Sequence, residues 1–465
     1  MRNQIILMAV CFSLITRLYA QGHLTQEQTT VDVQSDHDTS YTEAAPHRQN
    51  YFAGLGIGIG EGLFFNGMMH MAVRFGGQAP WAQVDGDAIR DNFSEGPRFE
   101  KTDWFPINQI GHPYQGSYYF IAGRSNGLDF YSSVALTALG SFEWEFFGET
   151  NTPGLNDLIT TTFGGAALGE MLHRLFLEAS YPAAIVFSPF DSLNDGIYRR
   201  PKQHTKNIYE LSAFTGIDVA LTKRMQVGYD STDEFKTGYL MNTAMNVVYG
   251  DPFYQESRVP YEHFELYARL SGGLENYDSR IISDAYLFSF TPLENLTTGF
   301  TMQFDFFAGR NIDFASQGFD WTVKLRKNIR ESLSLEFRGH LGWTLLGVAN
   351  FYDAGTWGEE FHNYSTGING KFFLSLIHPR IGTFNLSALL YSVFVFPNSV
   401  PDSEGMTFFT FLDANYLFPM GKNISVGIGD TFAVEYGRYK KVPGILKLTN
   451  NINIFCRWSF TEPQR

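Results

Sequence analysis

Residues 297–308 read TTGFTMQFDFFA, and residues 319–326 read FDWTVKLR. In the first stretch Phe300, Met302, Phe304 and Phe306 alternate with Thr301, Gln303 and Asp305. In the second, Phe319, Trp321, Val323 and Leu325 alternate with Asp320, Thr322, Lys324 and Arg326. A period of two is that of a β-strand with one apolar and one polar face. The pattern returns at Leu333, Leu335 and Phe337 against Ser334, Glu336 and Arg338, and at Ile424, Val426 and Ile428 against Asn423 and Ser425. A soluble sandwich turns the apolar face inward, whereas a membrane barrel turns it to lipid and keeps charge for the lumen.

Composition favours the barrel. The chain has 44 Phe and 24 Tyr and is only 18% charged, where soluble domains run at about 25%. Beyond the N-terminus no run of about 20 uncharged apolar residues suggests a membrane helix. From Ile208 to Phe460 the pattern predicts about twelve antiparallel strands. Its last stretch, NINIFCRWSF, ends on Phe460 close to the terminus, as signals for the barrel-assembly machinery do. The fold class expected is mainly β, an outer-membrane barrel preceded by a helical module packed in or under its lumen. The net charge of −14 excludes a nucleic-acid partner, which needs a basic surface. With only Cys11 and Cys456, and Cys11 in the leader, neither an intrachain disulfide nor a cysteine metal site is expected.

Ahead of the strands, residues 1–20 (MRNQIILMAVCFSLITRLYA) read as a secretory signal peptide, so the expected location is the outer membrane of a Gram-negative bacterium. Residues 21–50 are a flexible polar tail, whose His23, His37 and His47 read as solvated rather than metal-binding. Residues 51–101 are an apolar Gly-rich segment and linker. Tyr51 to Phe75 fits a strand, with alternating glycines on one face, or a helix with a Gly54, Gly58, Gly62 packing stripe; its second half leans to helix. Residues 102–180 form a helical module with helices near 114–124, 130–147 and 156–179, and residues 181–207 connect it to the strands.

The module carries Asp103-Trp104-Phe105, Asn108-Gln109, His112-Pro113-Tyr114 with Gly116, Arg124-Ser125, Trp144-Glu145, Glu149, Asn156-Asp157-Leu158 and Gly169-Glu170 with Arg174. This succession resembles domain of unknown function 3943 (DUF3943), an uncharacterised bacterial family of Gram-negative envelopes. The resemblance implies an envelope location and supplies no reaction. One departure is Gly154-Leu155, where the family pattern has a proline-serine pair; Asn156 is then the expected helix cap.

The module sets charge among apolar residues, where charge must be paired. As a catalytic set, His112 would be a general base with Glu145, Glu149 and Asp157 around it, and Arg124, Asn156, Glu170 and Arg174 would bind. The bland alternative is a charged helical plug of structural or transport-related role, its ions neutralising one another and the lumen wall. Enzyme action on outer-membrane lipid, lipid A or lipopolysaccharide, and binding of a hydrophobic ligand between helices and wall, are the alternatives to it. No Gly-x-Ser-x-Gly elbow is present, and no cofactor is indicated. Glu170-Met-Leu-His173 has di-iron spacing but lacks a second copy, so no metal is assigned. Glu265, Arg269, Asp305, Lys324, Arg326, Arg338 and His340 are expected to face the lumen.

Overall fold

The computed structural model describes residues 50–99, 104–227, 234–253, 256–273, 277–309, 311–351, 361–397, 403–441 and 443–461. The expected signal peptide and all but the last residue of the expected tail lie outside them. Two compact units result: one of helices, and one of strands that also takes in Arg98–Gly111.

The second unit is a closed antiparallel barrel of twelve strands. They are β1 Ile208–Val227, β2 Glu234–Tyr249, β3 Phe264–Gly272, β4 Tyr277–Leu293, β5 Leu296–Gly309, β6 Asp313–Arg330, β7 Leu333–Phe351, β8 Phe361–His378, β9 Gly382–Val395, β10 Gly405–Pro419, β11 Ile424–Tyr439 and β12 Gly444–Ser459. Each strand pairs with its sequence neighbour, and β1 closes on β12 with Ser212 opposite Ser459. Closure gives every strand a neighbour on both sides, as a lipid setting demands.

Register fixes the two faces. Thr301, Asp320, Gly342, Asn369 and Tyr391 lie side by side in one row across β5 to β9. This row faces inward, because Tyr391 Oη donates to Asp305 of β5 at 2.7 Å across the interior. The other face carries Ile217, Leu341, Ile368 and Ile454, all 60% exposed or more.

Side chains from distant strands meet across the interior. Phe307, Phe314, Tyr391, Phe409 and Phe411 form an apolar core inside the ring, with the Phe307 and Phe411 rings stacked at 3.9 Å. Around it Lys371 pairs with Asp305 at 2.5 Å, Lys447 with Glu435 at 2.8 Å and Arg269 with Asp218 at 2.5 Å. The seven residues expected to face the lumen do so and find partners there. Lys324 meets Glu265 at 2.7 Å and His263 at 2.6 Å, Arg338 meets Glu265, and Arg326 meets Glu336 at 2.6 Å. His340 Nδ1 shares a hydrogen bond with the Thr322 hydroxyl at 2.9 Å.

A helical module is expected from Thr102 onward, yet residues 98–99 and 104–111 group with the strands as a strap. Phe99 stacks on Tyr364 and Phe396, at 5.0 and 5.1 Å, and Phe105 stacks on Phe306 at 5.6 Å. Phe306, Ala315, Val348 and Tyr364 are one outward row of the barrel, and each is buried.

The helical unit contains α1 Tyr51–Met71, α2 Gly86–Glu95, α3 His112–Ser125, α4 Phe130–Glu143, α5 Leu155–Ile159, α6 Gly165–Glu178, α7 Ala183–Phe187 and α8 Pro189–Ile197. Tyr51 to Met71 is thus helical throughout, and Gly54, Gly58, Gly62 and Asn66 form its buried stripe. A Cβ on Gly58 would lie 3.2 Å from the Ala122 carbonyl oxygen, so glycine lets α1 close on α3. Gly116 of α3 and Gly165 of α6 meet in the same way, a Cβ on Gly165 falling 2.6 Å from the Gly116 Cα. Among the described residues no helix is long and apolar enough to cross a membrane, which says nothing of strands.

Candidate functional site

The helical unit collects its polar side chains at two places, the first of them built around turns that widen to π-helix. Such turns occur at Trp144–Gly148 after α4 and at Thr160–Gly164 between α5 and α6. A π-turn inserts one residue into the helical ladder and re-aims the side chains beside it.

The first place is organised on His112, at the start of α3 and 8% exposed. Its Nε2 lies 3.4 Å from Asp157 Oδ1 and its Nδ1 lies 3.3 Å from Thr161 Oγ1. With Asp157 accepting from Nε2–H, Nδ1 accepts from the threonine hydroxyl, which fixes the tautomer. Asn156 Nδ2 donates to the same Asp157 oxygen at 2.8 Å. Asn156 is therefore not the cap expected of it: helix α5 starts at Leu155, and Gly154 precedes it with no side-chain cap. The Gly154 N–H donates instead to Glu145 Oε2 at 2.7 Å. A Cβ at Gly154 would overlap the Asp157 carboxylate, so the glycine lets that carboxylate lie against the backbone. Glu149 stands apart, its Oε1 accepting from Trp144 Nε1 at 2.7 Å.

The second place is Glu170 on α6, fully buried. Arg124 meets it with two nitrogens, Nε at 2.7 Å and Nη2 at 3.2 Å, and Arg174 Nε reaches it at 2.9 Å. Burial alone would raise the Glu170 pKa, but the two guanidiniums, Arg124 first, overcome it and hold the carboxyl below its ordinary value. His173 turns away to Asp191 Oδ2 at 2.8 Å, and Asp191 also accepts from the Ser188 hydroxyl at 2.7 Å. Glu170 and His173 thus turn to separate partners. Among the described residues no three His, Cys, Asp or Glu side chains converge as a metal would need.

The structure therefore brings His112, Asp157 and Glu145 together around Gly154, gathers Arg124, Glu170 and Arg174 into a triad, and sets Glu149 on Trp144. Sequence reading missed a third network. Asn66 donates to Glu143 and to the Gly140 carbonyl oxygen, and accepts from Tyr119. Glu61 accepts from Asn126 at 3.0 Å. The signal for this network was present, since Glu61 and Asn66 interrupt an otherwise apolar helix. Its partners lie 53 to 77 residues away, where no local spacing identifies them.

Residues 96–182 match the family model described as Domain of unknown function (DUF3943), the family that the motifs resemble. No curated protein matches the chain. Among solved structures it is similar to the COG4313 outer membrane channel from Pseudomonas putida F1, at 11% identity and a TM-score of 0.29, over 55% of this chain and 97% of that one. The TodX monoaromatic hydrocarbon channel deltaS2 mutant matches at 8% identity and a TM-score of 0.26, over 54% and 90%. The outer membrane protease OmpT from Escherichia coli matches at 9% and 0.25, over 55% and 99%.

Proposed function

We propose that the chain is an outer-membrane protein whose barrel is a closed structural anchor rather than an open pore. The observation that carries this reading is contact across the interior. Arg280 of β4 lies 3.2 Å from Asp413 of β10, and these strands are six steps apart around a ring of twelve. Barrels of about eight strands fill their interior with side chains, and larger ones tend to enclose cavities or channels. Here twelve strands surround an interior bridged by ion pairs and stacked rings.

The exposed apolar belt supports membrane placement, since an apolar surface that wide is unfavourable in water. A helical plug is not required to neutralise the wall, because interior charges such as Lys371 and Asp305 pair with one another. The charges of Arg124, Glu170 and Arg174 are likewise matched within the helical unit. Two experiments test the reading. Full-length protein should fractionate with the outer membrane on a density gradient, and liposomes containing it should resist swelling in small sugars. A soluble protein, or rapid swelling, would refute it.

A second reading rests on His112, whose imidazole is oriented by Asp157 with a hydroxyl at its other nitrogen. That arrangement suits a general base acting on outer-membrane lipid or lipid A. Mass spectrometry of lipids from cells with the wild-type protein, with no protein and with His112→Ala tests it. A species dependent on both protein and histidine supports an enzyme, and three identical profiles exclude this one.

A further inference from the structure

The helical unit is built with its polarity reversed. On α4, Tyr131, Leu139 and Phe142 are 62%, 47% and 38% exposed, whereas Ser133, Thr137 and Ser141 are all but fully buried. Helix α1 repeats the arrangement, with Phe52, Leu63, Phe64 and Met68 exposed and its glycine stripe and Asn66 buried. A water-facing helix does the opposite. Small and hydroxyl-bearing residues inside, with large apolar ones outside, is the packing of helices surrounded by hydrocarbon.

The charges follow the same rule. Between Tyr51 and Phe64, Glu61 is the one charged residue, and it turns inward to Asn126 and Asn194. Glu143, at the end of α4, turns inward to Asn66. By contrast α2 carries Asp87 and Arg90 with side chains more than three-quarters exposed, as a helix in water does. Twenty-one residues make α1 about 31 Å long, close to the hydrocarbon thickness of about 30 Å. Its mean hydropathy stays too low for a spanning helix because the glycines, Glu61 and Asn66 lower it, and several of these lie on the buried face.

We infer that the outer face of the helical unit formed by α1 and α4 is bathed by lipid acyl chains, with α2 in water. The inference goes beyond the closed-barrel reading and rests on its membrane placement. The occupant is lipid rather than a protein partner because, among the described residues, α1 and α4 expose no charged side chain, whereas a protein interface is rimmed by polar groups, and because a barrel with an outward apolar belt belongs to the same chain.

The test uses full-length protein carrying Cys11→Ser and Cys456→Ser, so that no native thiol remains, reconstituted in phosphatidylcholine vesicles. One nitroxide is placed at a time through Phe64→Cys, Tyr131→Cys or Leu139→Cys. Ile454→Cys on the barrel belt and Arg90→Cys on α2 serve as references. All five positions are exposed, so folding survives the change, and heat-modifiable mobility confirms it. Collision with oxygen, which concentrates in lipid, is compared with collision with a water-soluble nickel chelate. The expected result is that the three helix labels follow Ile454→Cys, with oxygen collisions several-fold above nickel, while Arg90→Cys shows the reverse. Helix labels that follow Arg90→Cys would overturn the inference. Labels reached by neither reagent would overturn it too, because protein would then cover the face. If Ile454→Cys itself behaves as aqueous, the membrane placement fails first.

Discussion

The barrel and the helical unit both turn large apolar side chains outward and charge inward, but the barrel also joins charges between strands on opposite sides of its ring. In the helical unit Glu170 takes one arginine from four residues away and another from 46 residues away. In the barrel Arg280 reaches Asp413 across 133 residues, and Tyr391 reaches Asp305 across 86. A helix places partners by its own pitch, so one residue's loss strands its neighbours. A ring of strands places them by closure, so each interior pair is one of many. The helical unit should accordingly be the more sensitive to single substitutions.

Glu170→Ala is the strongest way to break that contrast. It leaves Arg124 and Arg174 together without their shared carboxylate, at a cost of about 3–5 kcal/mol. Proteolysis of the full chain in vesicles should show the helices cleaved while the barrel keeps its heat-modifiable mobility. Simultaneous loss of the barrel would mean that the two units do not differ in this way. Acid acts on the same residue. Its folded pKa is lowered, so its stabilisation is complete above the unfolded value of about 4.3 and is lost as pH falls through the folded value. Protease susceptibility of the helices should rise in strong acid, and Glu170→Gln should flatten that rise.

Next in size is Gly116→Val, whose Cβ overlaps the Thr161 carbonyl where α3 closes on the chain leading into α6. Overpacking of this kind costs about 1–3 kcal/mol, read as a lower denaturation midpoint of the helical unit. His112→Ala should cost less, about 1–2 kcal/mol, because Asp157 keeps Asn156 as a donor. Smallest of all, replacing both members of one barrel pair, Lys447→Met with Glu435→Leu, should shift barrel stability by less than about 1 kcal/mol. A large loss from that double change would mean that interior pairs hold the barrel as Glu170 holds the helices.

Sequence pattern revealed most of the barrel, because alternation marks both faces of a strand whatever its partner. Asp305, Lys324 and His340 could be assigned inward, but the partners of Lys371 and Arg280 depend on closure and had no local signal. In the helical unit Glu170 with Arg174 was legible at helical spacing, as was the glycine stripe of α1. The π-turns were not, and they determine where Glu145 and Thr161 point. The strap escaped for a related reason: Phe99 and Phe105 have no period, and only the fold shows that they pack against aromatics on the outer face of β5 and β8 and just after β9.

Single-channel recording of the full-length protein in planar bilayers tests the closed interior most directly. With Phe307 stacked on Phe411 and Arg280 joined to Asp413, the wild-type protein should give no stable conductance, while Arg280→Ala combined with Phe411→Ala should open steps above baseline. Long-lived ohmic steps from the wild-type protein, unchanged by that double substitution, would contradict the account.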